Sequence, residues 1–135
     1  MKNIITLFII TFLYSCSPMD CSKLSYIKND EIVGLNGELY TGKCKLNYDN
    51  GKTRSRREFY KGLYHGQWIF YYENGNIETK GQYIKGKKDG DWKYYYKNGI
   101  IKQLSFYKMG DPVGAWRKFD EKGNLYWGKN WGKKR

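Results

Sequence analysis

The sequence predicts an all-β fold in which tandem 24-residue β-hairpin units join side by side into an elongated, mainly antiparallel sheet. Three observations predict it. Gly42, Gly66, Gly90 and Gly114 recur at steps of 24 residues, and nine residues after each comes another glycine: Gly51, Gly75, Gly99 and Gly123. Large side chains keep the same step, with Cys44, Trp68, Trp92 and Trp116 two residues after the leading glycine and Phe59, Tyr83, Tyr107 and Trp131 seventeen after it. Asn50-Gly51, Asn74-Gly75 and Asn98-Gly99 interrupt strand-like runs. Asn-Gly is the strongest short hairpin signal because both positions of a tight two-residue turn take φ > 0. A period of roughly 20–50 residues marks an array whose neighbouring units bury what one unit cannot.

The first element in chain order stands outside this array. Met1-Lys2-Asn3 is followed by an apolar run from Ile4 to Leu13. That run falls short of the about 20 residues a helix needs to cross a bilayer, and it suits the core of a secretory signal peptide. Leu13-Tyr14-Ser15-Cys16 resembles the lipobox of bacterial lipoproteins, in which cleavage before the cysteine precedes its acylation. Residues 1–15 are thus expected to be a signal peptide, with Cys16 the lipidation site and residues 16–33 a tether. The repeat domain is expected over 34–135, with units starting near 42, 66, 90 and 114. The implied address is the cell envelope, and Ser17 after the cysteine favours an outer membrane where two membranes exist. Export also sets an oxidising context. Cys21 and Cys44 then either pair or leave Cys44 as a buried thiol, and their spacing leaves both open.

Within each unit a two-residue loop would set Tyr72 opposite Ile77, Tyr96 opposite Ile101, Trp68 opposite Gly81 and Trp92 opposite Ser105. Alternation along the strands then separates two faces. One carries Trp68, Phe70, Tyr72, Ile77, Trp92, Tyr94, Tyr96, Ile101, Leu125 and Trp127, and should pack. The other carries Tyr71, Glu73, Lys80, Lys93, Tyr95, Lys97 and Lys102, and should face water. Gly- and charge-rich stretches such as Lys85-Gly86-Lys87-Lys88-Asp89-Gly90 read as connectors between hairpins. In the fourth unit Lys122-Gly123 stands where Asn-Gly is expected. Four hairpins give about eight strands, which one another's presence stabilises because a lone hairpin is marginal in water.

These repeats, above all Gly66-Gln67-Trp68-Ile69-Phe70-Tyr71-Tyr72-Glu73-Asn74-Gly75 and Asp89-Gly90-Asp91-Trp92-Lys93-Tyr94-Tyr95-Tyr96-Lys97-Asn98-Gly99, resemble the variant form of the MORN repeat. The form occurs in bacterial proteins grouped as the YwqK-type antitoxin family. The structural markers of the repeat are Trp68, Gly75, Trp92, Gly99, Trp116 and Gly123, and the resemblance is specific in the second and third units and weaker in the first and fourth. The resemblance implies a repetitive β-sheet scaffold and a binding role toward a protein or a membrane.

Composition narrows the function classes. The chain has 135 residues, enough for one modest domain, with a formal net charge of +12 and 14 Tyr, 6 Phe and 5 Trp. That aromatic content excludes a disordered basic tail, and three Cys exclude a disulfide-knit miniprotein. Catalysis has little to work with: His65 is the only histidine and reads as a turn residue. The cysteines do not match zinc spacing, the glycines form no phosphate cradle, and no cofactor is expected. What remains is a basic, aromatic surface, with Lys85, Lys87, Lys88, Lys93, Lys97 and Lys102 clustered in the second and third units. Tyr71, Lys93, Tyr95, Lys97, Lys102 and Phe119 are the candidate binding residues. The expected function is a non-enzymatic, membrane-anchored scaffold whose partner is a protein or an anionic membrane or envelope polymer. Nucleic acid is disfavoured for an exported chain. The alternative is an antitoxin- or immunity-type protein that occludes a toxic partner.

Overall fold

The computed structural model describes residues 17–27, 31–34 and 37–132. Its strands are β1 (Met19–Asp20), β2 (Ser25–Ile27), β3 (Glu31–Val33), β4 (Gly42–Asn47), β5 (Thr53–Tyr60), β6 (Leu63–Tyr71), β7 (Ile77–Ile84), β8 (Lys87–Tyr95), β9 (Ile101–Lys108), β10 (Asp111–Phe119) and β11 (Leu125–Asn130). β4 to β11 run as one antiparallel meander in chain order, and β1 adds in parallel beside β4 to make a nine-stranded sheet. The meander thus holds the eight strands that four hairpins require. β2 and β3 pair with each other separately.

Two kinds of turn alternate at the two ends of the strands. At Asn74-Gly75 the Tyr72 N–H donates to the Asn76 carbonyl at 2.8 Å and the Gly75 N–H to the Tyr72 carbonyl at 2.9 Å. Gly75 has φ of 93° while Asn74 stays outside the left-handed region. This is a three-residue loop, a type I turn closed by a left-handed glycine, and not the two-residue turn the dipeptide suggested. Asn74 Oδ1 accepts the Asn76 N–H at 3.0 Å, so the asparagine caps its own loop without adopting positive φ. Asn50 and Asn98 do the same. The extra residue moves the pairing at the strand end, so Ile77 faces Tyr71 and Ile101 faces Tyr95, in place of Tyr72 and Tyr96. Deeper in the hairpins the expected partners hold: Trp68 faces Gly81 and Trp92 faces Ser105.

The tight turns sit where connectors were expected. Lys61-Gly62, Lys85-Gly86 and Met109-Gly110 have φ of 48° and 77°, 49° and 77°, and 49° and 93°. Positive φ at both positions makes each a two-residue turn whose twist matches the strands. Lys87 to Gly90 therefore belong to β8. The strained first residue of each turn is held by a side chain from the preceding unit: Lys61 N–H donates to Thr41 Oγ1 at 2.9 Å, Lys85 N–H to His65 Nδ1 at 3.4 Å, and Met109 N–H to Asp89 Oδ2 at 2.9 Å. His65 thus lies in β6 and anchors a turn.

The core is a chain of rings within one layer. At Gly66, Gly90 and Gly114 the strands β6, β8 and β10 carry three residues opposite one on the preceding strand. This bulge tips the following tryptophan over the neighbouring strand. Ring centroids then run Phe59–Tyr64 at 5.2 Å, Tyr64–Trp68 at 4.4 Å, Trp68–Tyr83 at 5.2 Å and Tyr83–Trp92 at 5.1 Å. They continue Trp92–Tyr107 at 6.4 Å, Tyr107–Trp116 at 5.0 Å and Trp116–Trp131 at 5.5 Å. Trp92 is only 2 % exposed, and its indole N–H donates to the Gln82 carbonyl at 3.2 Å. The indole lies so close over Gly81 that a Cβ there would overlap its ring atoms.

Successive loops are stitched by tyrosines. The hydroxyls of Tyr48, Tyr72 and Tyr96 donate to the carbonyls of Tyr71, Tyr95 and Phe119 at 2.6, 2.8 and 2.8 Å, each 23 residues on. In the last unit Asp120 takes this position and caps its own loop through the N–H groups of Lys122 and Asn124. Asp120 thus does in the Lys122-Gly123 loop what asparagine does in the earlier ones. Leu125, expected to pack, is 57 % exposed on β11, the outermost strand of the sheet.

At the other edge the stretch expected as a tether instead carries structure. Cys21 is disulfide-bonded to Cys44, and Met19, Cys21, Leu24, Tyr40 and Tyr64 pack around Cys44 and Phe59. Cysteine replaces the first tryptophan because this segment, not a preceding repeat, covers the edge.

Two outcomes follow from the ring chain. Gly81→Ala drives a methyl into the Trp92 indole and is expected to cost about 2 kcal/mol, read as a lowered urea midpoint. Burial pushes the Tyr64 hydroxyl up to about 12 and raises Tyr83, Tyr94 and Tyr107 above their ordinary 10.0. The fold therefore favours neutral phenols. Their stabilisation is complete below pH 10 and is lost as pH rises from 10 toward 12, an alkaline unfolding visible by far-UV circular dichroism.

Candidate functional site

Strand pairing assigns each side chain to a face, because directly paired residues point the same way. The ring face carries its own cations. Lys88, expected on the basic surface, instead sets its ammonium 4.2 Å from the Trp92 ring centroid and 5.1 Å from that of Tyr107, and donates to the Tyr94 hydroxyl at 3.0 Å. Arg57 lies 5.1 Å from both Trp68 and Phe70. Lys118 covers Trp127 at 4.9 Å, and Lys129 covers Trp131 at 3.8 Å. Such contacts contribute about 0.5–1 kcal/mol each where solvent reaches them. On this face the positive charges are engaged by rings.

The opposite face is different. Continuous register links Lys45 to Arg56, Arg56 to Ile69, Ile69 to Lys80, Lys80 to Lys93, Lys93 to Leu104, and Leu104 to Arg117. These seven positions form one row crossing β4 to β10, five of them basic, and Asp20 on β1 continues it beside Lys45. No carboxylate among the described residues lies within ion-pair distance of those five; the ion pair seen is Lys43 with Glu58 at 3.4 Å. Lys80 and Lys93 face each other directly, a like-charge pairing that costs sheet stability.

Two shallow depressions of about 460 Å³ each open on this face and share Gln67. Lys80, Gln82, Asp91, Lys93 and Tyr95 line the first; Lys43, Lys45, Arg56, Glu58 and Ile69 line the second. The row runs through both.

The candidate residues read from sequence distribute unevenly around it. Lys93 and Tyr95 line the first depression. Tyr71, Tyr95 and Phe119 occupy one position of successive units, and their carbonyls receive the stitching hydroxyls. Lys97 sits in a loop, its carbonyl accepting from the side-chain amides of Asn74 and Asn76. Lys102 holds its ammonium 5.5 Å from the Tyr96 ring. Cys16 lies outside the described residues. Lys45, Arg56 and Arg117 went unnoticed, although the signal was present: Lys45, Lys93 and Arg117 share one position of the 24-residue step, and Arg56 and Lys80 share another. For redox or metal chemistry the face offers little purchase, since among the described residues no three His, Cys, Asp or Glu side chains gather.

Residues 64–85 and 88–109, each running from one tight turn or its flank to the next, match the family model described as the MORN repeat variant. Two units of the chain match the MORN repeat variant. The two matched MORN units are the ones whose Trp68 and Trp92 insert over Arg57 and Gly81, and the same bulge and ring contacts continue into the unit of Trp116. Comparison with curated proteins found no match.

The Lys80–Lys93 opposition is measurable. Lys93→Gln is expected to raise the unfolding free energy by about 0.5 kcal/mol at low salt, and by less at high salt, where screening already relieves the repulsion. Urea titrations at two ionic strengths check it.

Proposed function

We propose that the protein is a non-enzymatic, lipid-anchored scaffold of the cell envelope that binds a partner through the basic face of its MORN-variant sheet. The observation that carries this reading is the row of five cations, none of them ion-paired among the described residues. A solvated face whose only task is solubility would intersperse both signs; along this row from β4 to β10 every charged position is a cation, and Lys80 and Lys93 are held opposite each other at a cost to the sheet.

Anchorage rests on the sequence of residues 1–16 and on the chemistry at the sheet edge. Disulfides persist in oxidising compartments, so the Cys21–Cys44 bridge agrees with export. A lipid on Cys16 would hold the array by that same edge. Met19 pairs with Cys44 on β4, and the three residue steps from Cys16 to Met19 span at most about 11 Å. The β1–β4 edge then sits beside the bilayer, and the remaining strands are free to reach away from it.

Cys16→Ala is expected to move the protein from the membrane to the soluble fraction and to abolish incorporation of labelled palmitate. A variant that stays membrane-bound would remove the lipid anchor from this reading.

A further inference from the structure

We propose that the face bearing Lys45, Arg56, Lys80, Lys93 and Arg117 binds an extended, linear polyanion that lies across the strands. This rests on the binding role proposed above and names the chemistry of the partner. Three features of the face lead to it.

The first is that the cations stand in single file. At about 4.8 Å between strands, the row from Lys45 to Arg117 is about 29 Å long. Within it the cations fall into adjacent couples, Lys45 with Arg56 and Lys80 with Lys93, separated by the half-buried Ile69, with Arg117 beyond Leu104. Each couple can clamp one anionic group, and a chain carrying several such groups meets the couples in turn. An anion between Lys80 and Lys93 also relieves their mutual repulsion.

The second is what flanks the file. Asp91 lines the same depression as Lys80 and Lys93, and Glu58 lines that of Lys45 and Arg56. Both stand on the side of the row nearer the tight turns. A broad anionic surface would press on these carboxylates. A narrow chain following the row would run alongside them.

The third is shape. The row crosses two depressions, and a flat lipid surface would rest on their rims while a flexible chain reaches their floors. Among the described residues none of the exposed large apolar side chains, Tyr26, Tyr60, Leu125 and Tyr126 the most so, stands in the row between the cations. Hence the observations favour a polymer over a membrane.

Inorganic polyphosphate of graded length is the probe, titrated against the full-length protein in nonionic detergent at low salt. Affinity is expected to rise with chain length until the chain spans about 29 Å and then to level off. Lys80→Gln with Lys93→Gln is expected to weaken the long-chain complex at least tenfold and to lower the logarithmic salt slope by about 1.4, at roughly 0.7 per cation. Lys85→Gln with Lys122→Gln, which removes equal charge from turns, is expected to change affinity less than twofold. Circular dichroism verifies that both variants fold. Equal losses in the two double variants, or affinity independent of chain length, would overturn the proposal. So would anionic phosphatidylglycerol vesicles that bind while polyphosphate does not, a result that transfers the face to membrane binding and leaves the scaffold reading standing. Loss of the Cys16 anchor in cells would remove the envelope reading without touching these titrations.

Discussion

A one-layer sheet has to hide its rings sideways, and the insertion of each tryptophan over the neighbouring strand is what makes that work here. Two stacked layers would let apolar side chains interdigitate across an interior. Among its described residues this sheet has only three well-buried apolar side chains, Cys44, Phe59 and Trp92. Shielding comes instead from edge-to-face and tilted neighbours along the array, each ring covered by the one before and the one after. The bulge at the leading glycine tilts the indole, and a small or flat-lying partner leaves room beneath it. Removing either would leave a ribbon with one greasy side, so the repeating glycines and the repeating rings are one requirement expressed at two positions.

How much of this the sequence disclosed depended on the kind of information involved. The strand count and the pairing of Trp68 with Gly81 and of Trp92 with Ser105 were legible because they follow from period and alternation alone. The turns were legible in place and not in type. Asn-Gly permits two loop lengths, and the choice fell to the asparagine carboxamide bonding two residues ahead. The tight turns were hidden because Lys85 and Met109 are unusual at positive φ, and they are tolerated only through acceptors 20 residues earlier in the chain. The basic surface was legible as composition but not as pattern. Lys88 and Lys93 look alike in a list of charges, yet one lies against Trp92 and the other faces Lys80.

The first and last described units depart from the repeat, each in its own way. At the first unit Cys44 replaces the ring and is bridged to Cys21, so a covalent bond fastens the covering segment where stacking would otherwise continue. At the last unit Asp120 replaces the stitching tyrosine and satisfies its own loop. Both substitutions fall in the outermost units of the described sheet. Departures from the consensus at the ends thus carry structural meaning, and those in the interior, such as Ile69 and Leu104 among the cations, set the grouping of charge.

The tyrosine stitches reach one unit forward and no further: Tyr48 to Tyr71, Tyr72 to Tyr95, Tyr96 to Phe119. Unit number is consequently a free variable of the architecture. Duplicating one whole module would leave both termini undisturbed while adding two strands, about 10 Å, to the length over which charge is displayed. Evolution can therefore adjust the molecule as one adjusts a ruler, by whole divisions, without redesigning its ends.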